Sequence, residues 1–165
     1  MLSRRQLLAA SPTTLPLFLA LSGCKGPAVL SAPPVVSRQT QVLLDAITAE
    51  QQLIWVYAKV TAAYSALAGT LAPLRAEHEA HLAQLRARVV EPPGRQAQAT
   101  VTARPRIAGP QAAALAQLHA AEQAAVTAQM DRLAAAPASL AQLYASIAAC
   151  ESTHASVLAA RISTR

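Results

Sequence analysis

Arg75-Ala76-Glu77-His78-Glu79-Ala80-His81-Leu82-Ala83-Gln84-Leu85 packs two of the chain's four histidines and two of its eight acidic residues into positions 77–81, amid alanine and leucine. On a helix, residues three or four apart share a face. His78 and His81 therefore join Leu74 and Leu85 in one stripe, with Glu77 at its edge and Glu79 turned away to solvent. A stripe of this kind faces a core, and polar groups on it need partners from neighbouring elements.

The rest of the chain offers such partners. Of its 165 residues 53% are hydrophobic but only 3% aromatic, so the core is built from Ala, Leu, Val and Ile. That composition favours close-packed helices over a sheet. A first helix is expected from about Thr40 to Leu67, with Leu43, Ile47, Ile54, Tyr57 and Thr61 on one face and Glu50 in its middle. Gly69 and Pro73 mark a turn, and a second helix follows over about 72–89. Glu91-Pro92-Pro93-Gly94 stops it, and no period returns before Pro110. The aperiodic stretch 91–109 could reach about 60 Å when extended. A twenty-residue helix is only about 30 Å long, so the chain can run back along a whole bundle.

A third helix is expected over about 111–135, with Leu115, Leu118, Val126 and Leu133 as its stripe, Glu122 in the middle and His119 on the flank. Pro137 breaks it. Ser139 caps a fourth helix, running to about Ile162, whose stripe of Leu140, Tyr144, Ile147 and Leu158 encloses Glu151 and His154. The reading is an all-α, up-down four-helix bundle, spanning 40–162, with one long crossover between helices two and three. Its hairpins repeat each other. Ala49-Glu50-Gln51 recurs as Ala121-Glu122-Gln123, with His78 and His81 28 and 31 residues after Glu50, and Glu151 and His154 29 and 32 after Glu122.

Residues 1–23 have the basic start and apolar run of an export signal. Pro12 and Pro16 interrupt a run already short for a bilayer, so it is not a spanning helix. Leu21-Ser22-Gly23-Cys24 resembles the lipobox of bacterial lipoproteins. This implies lipidation of Cys24, export, and anchoring on the extracytoplasmic face of the cell membrane. Ser3-Arg4-Arg5-Gln6-Leu7-Leu8 also resembles a twin-arginine signal, and the choice of export route stays open. Residues 24–39, rich in proline and small side chains, read as a tether. Loss of Arg4 and Arg5 lowers the formal charge from +6 to +4. An exported chain whose basic residues lack interleaved aromatics is not a nucleic-acid binder. Cys150, left as the single thiol, reads as a small buried hydrophobe.

The layout resembles a ferritin-like bundle, and more narrowly the ferritin-like domains of unknown function in lipoproteins of high-GC Gram-positive bacteria. In metal-binding members of that group the first and third helices each give a Glu, and the second and fourth each give Glu-x-x-His. The resemblance implies a metal set of Glu50, His81, Glu122, Glu151 and His154, holding Fe, Mn or Zn. It departs at His78, which stands where a bridging carboxylate is expected. Three Glu and three His suit one ion better than a carboxylate-bridged pair. Glu77 is a substitute ligand in an altered geometry, while His119, Tyr57 and Tyr144 are supporting residues. Trp55 is read as packing. Three functions remain open: an envelope lipoprotein binding one or two divalent ions, a scaffold for an unknown protein partner with a degenerate site, or a carrier of an apolar molecule. Whether the chain is an enzyme is open too. A lipid anchor impedes closure of a shell, so a monomer or dimer is expected rather than a cage.

Overall fold

The structure is a computed structural model and describes residues 36–90, 104–107 and 109–164. The expected export signal, the expected lipidation site Cys24, most of the expected tether and residues 91–103 of the crossover lie outside the described residues. Four long helices account for nearly all the rest: α1 (Arg38–Ala63), α2 (Ala68–Arg86), α3 (Gln111–Ala135) and α4 (Ala138–Ser163). They pack as a four-helix bundle in which α1 pairs mainly with α2 and α3 mainly with α4. The two hairpins meet through α1 against α3 and α2 against α4.

Two apolar layers fill the ends of the bundle. One combines the end of α1 (Val56, Val60), Leu67 just before α2, the start of α2 (Leu71, Leu74), the start of α3 (Leu115, Leu118) and Leu158 near the end of α4. The other combines Leu43 and Ile47, Leu85, and Leu140, Leu143 and Ile147, from the opposite ends of α1, α2 and α4, with Leu133 beside them. Neighbouring helices therefore run antiparallel, and the chain leaves α2 at one end and enters α3 at the other. Tyr64, just past α1, confirms the match of ends by donating a hydrogen bond from its hydroxyl to the Gly109 carbonyl, just before α3.

Several local expectations change. The first turn falls at Tyr64–Leu67, a 3-10 turn, rather than at Gly69–Pro73, which both lie inside α2. Leu67, Leu71 and Leu74 are all buried, and burying that stripe outweighs the cost of a glycine and an exposed proline in the first turns. On α1, Leu53, Val56 and Val60 are buried where Ile54 and Thr61 were expected, and those two are only half-buried. Val126 and Leu133 of α3 are likewise half-buried. Ser37 caps α1, accepting a hydrogen bond from the Thr40 amide at 3.0 Å. Ser139 does not cap α4. Pro137 holds that position in an extended conformation (φ −66°, ψ 155°), so α3 and α4 are joined by Ala136 and Pro137 alone.

The layered core makes a simple prediction. Leu115→Ala, at a fully buried position, should cost about 2–5 kcal/mol. Met130→Ala, 51% exposed, should stay within about 0.5 kcal/mol of wild type. Urea denaturation followed by circular dichroism measures both.

Candidate metal centre

Between the apolar layers lies a polar belt. Glu50, His78, His81, Glu122, Gln129, Glu151 and His154 are all buried, none more than 7% exposed. Each helix contributes because each carries one or two polar residues at the midpoint of its apolar stripe. His78 is the centre. Its Nδ1 lies 2.8 Å from Glu50 Oε2 and its Nε2 2.9 Å from Glu122 Oε1. Both partners are acceptors, so both ring nitrogens carry a proton and the ring is an imidazolium. Burial opposes that charge, but the hydrogen bonds to Glu122 and Glu50 outweigh it and raise the pKa of His78 to about 9. Burial would raise Glu122 as well, yet hydrogen bonds from His154 and His78 bring it down to about 2. Glu50 is lowered in the same way, burial being overcome by its hydrogen bond to His78 and by the nearness of the His81 ring.

The belt extends from this centre in two directions. His81 Nδ1 stands 3.4 Å from Glu50 Oε1. On the other side His154 Nδ1 lies 3.2 Å from His78 Nε2 and 3.6 Å from Glu122 Oε1. His154 Nε2 points outward and donates to Glu77 Oε2 at 2.6 Å. Two buried triads thus share His78: Glu50 with His81, and Glu122 with His154. Within each, one ligand atom per residue lies within 4.8 Å of the others.

The remaining expected residues are placed differently. Glu151 belongs to neither triad. Its Oε1 accepts a bond from Gln129 Nε2 at 3.5 Å, and burial, then the charge of Glu50, push its pKa up to about 8. Gln129 went unnoticed in the sequence, though it sits one heptad after Glu122 on the same stripe. Tyr57 donates from its hydroxyl to Glu122 Oε1 at 2.5 Å, and burial, then the charge of Glu122 and this bond, raise its pKa. Tyr144 does not reach the belt. It is buried in the far apolar layer, its hydroxyl has no hydrogen-bond partner among the described residues, and it lines an end cavity with Arg38 and Arg132. His119 makes no hydrogen bond to the belt among the described residues, and it faces a surface pocket with Gln123 and Ser152. Glu79 is exposed, 3.2 Å from Arg75. Glu77 is 54% exposed yet reaches the belt through His154.

Cys150 is not an apolar filler. Its thiol donates to Glu77 Oε2 at 3.0 Å and lies 3.5 Å from His154 Nε2. Burial, then that hydrogen bond, push its pKa up to about 12, so it is no thiolate nucleophile.

Four ligand-type atoms in the belt are buried without a hydrogen-bond partner among the described residues: Glu50 Oε1, His81 Nδ1, Glu122 Oε2 and Glu151 Oε2. Buried acceptors left in this state are costly, and a cation is one way to satisfy them. Two donors bound to one ion at about 2.0–2.1 Å stand about 2.9–3.4 Å apart. The 3.4 Å separation of Glu50 Oε1 and His81 Nδ1 matches that. These Glu and His groups could hold a metal ion. Comparison with known protein families, curated proteins and solved structures finds no match for the chain.

The pKa shifts fix how the metal-free stability should vary with pH. Glu151 is raised from 4.5 to about 8, so its contribution is full below about 4.5 and is lost as pH rises through 8. His78, raised from 6.5 to about 9, acts in the same sense over its own window. Glu122, lowered from 4.5 to about 2, withdraws stability only under acid. In the presence of a chelator, Tm should fall as pH rises from about 5 to 9. Glu151→Gln should flatten the part of that slope below pH 8 and melt higher than wild type there. Thermal melts across the pH series check both.

Proposed function

We propose that this chain is an exported lipoprotein, anchored to the cell membrane through Cys24, whose ferritin-like bundle binds one divalent ion (Fe, Mn or Zn) on its extracytoplasmic face. The observation that carries the reading is the pair Glu50 Oε1 and His81 Nδ1, buried, without a hydrogen-bond partner among the described residues and 3.4 Å apart beside His78. Glu50, His78 and His81 would hold the ion, and the apolar layers at either end would keep water from it. A bound ion would supply Lewis acidity and, as Fe or Mn, redox chemistry. The crossover from one end of the bundle to the other supports the ferritin-like topology.

Charge favours one ion over two. Glu50 and Glu122 are held ionised, while Glu151 is largely protonated near neutral pH. One divalent ion in exchange for the His78 proton balances the two carboxylates. A second would leave excess positive charge in a buried site, which is expensive. The bridging carboxylate of a two-ion centre is absent too, since His78 occupies its position.

One observation favours a second reading. The bonds from His78 to both carboxylates already join three helices, so the belt can also serve as a metal-free clasp in a scaffold that binds a protein partner. Metal analysis of the full chain, purified without chelator, separates the two. With Mn²⁺ as the metal, one ion per chain is expected, together with a stabilisation of about 2.7 kcal/mol at a hundredfold excess of metal over Kd. Glu50→Gln and His81→Ala should lose both. If the wild-type chain holds no stoichiometric metal and its Tm is unmoved by Fe, Mn or Zn, the scaffold reading stands instead.

A further inference from the structure

We propose that Glu77, Cys150 and His154 form a second, solvent-facing metal site that takes a thiophilic divalent ion of the zinc class and stands at the mouth of the buried belt. None of the three is needed for the inner Glu50–His78–His81 site, so the two can be tested apart.

The geometry has three parts. Cys150 and His154 are four apart on α4, a spacing that sets two ligands on one helix face. Glu77 reaches them from α2. Sγ lies 3.0 Å from the Glu77 carboxylate and 3.5 Å from His154 Nε2, and that carboxylate lies 2.6 Å from the same nitrogen. One ligand atom from each residue falls within a 4.8 Å cluster. These are three different donors around one point, with a fourth position open because Glu77 is half-exposed and Cys150 only partly buried. Three protein ligands and one open position make a common zinc arrangement.

The charge also balances. On binding, the Cys150 thiol proton leaves to solvent and the neutral His154 ring carries its proton on Nδ1, the side facing Glu122 Oε1 at 3.6 Å, so one ion is bonded to Sγ, to the Nε2 lone pair and to the Glu77 oxygen. Thiolate and carboxylate together carry two negative charges against two positive. The sulfur sets the preference, because thiolate selects zinc-like ions over manganese or magnesium. The inner set has only nitrogen and oxygen donors. The ring of His154 joins the two regions, with Nε2 in the outer triad and Nδ1 3.2 Å from His78 inside. Their ring centroids are 4.8 Å apart. An ion arriving from solvent meets Cys150 and Glu77 before it meets the belt.

Co²⁺ is the probe, because cobalt bonded to thiolate gives a near-ultraviolet charge-transfer band that nitrogen and oxygen ligands do not. The full chain, titrated anaerobically with Co²⁺, should show the band with one thiolate per chain. Cys150→Ser should abolish it. Glu77→Gln should weaken the outer site by at least about tenfold, the loss found even for residues that merely support a ligand. Glu50→Gln, which damages the inner site, should leave the band intact. No band at saturating Co²⁺, or a band that survives in Cys150→Ser and so belongs to Cys24, overturns the proposal. Co²⁺ uptake without the band would leave the inner site standing and this one refuted.

Discussion

The structure depends on one buried imidazolium. His78 reaches from α2 to Glu50 on α1 and Glu122 on α3, and His154 of α4 leans against it. A fully buried positive charge is tolerable only with such partners. The partners are themselves buried carboxylates that need a cation. Each helix therefore brings a group that is costly alone and satisfied only when the others arrive. Apolar packing has little direction of its own, whereas this cluster fixes the level at which the four helices meet.

The apolar layers on either side give the cluster its strength. They are built from aliphatic side chains with few aromatics, and alanines between them let the helices approach. Water is kept from the belt, so each charge-assisted hydrogen bond acts in a low dielectric. Tyr57, at the border of one layer, puts a hydroxyl on Glu122 that neutral packing would not supply. The same dryness raises the cost of every atom left over, and the oxygens of Glu50, Glu122 and Glu151 that have no partner among the described residues mark where a cation would bring most relief.

The belt is also graded from inside to outside. At the Glu50 end all donors are nitrogen or oxygen and buried. Past His154 it meets a thiol and a half-exposed carboxylate. A histidine with one nitrogen turned inward and the other outward joins two environments of different chemistry within one bundle.

By itself the amino-acid sequence determined that there would be four helices, their approximate spans, a chain that can double back between the second and third, and a polar residue in the middle of each apolar stripe. All of these rest on local period and composition, which act over a few turns. Tertiary structure decided which polar groups meet. Glu50, His78, His81, Glu122 and His154 converge, but Glu151 turns to Gln129, and Glu77 and Cys150 enter as a set that period alone placed at a stripe's edge or in the core. Helical spacing gives the face of a residue, not the rotation and height of the neighbouring helix that decide its contact. The first turn moved for a related reason. Gly69 and Pro73 are local signals of about a few kcal/mol, and burial of Leu67, Leu71 and Leu74 against α1 and α3 outweighed them.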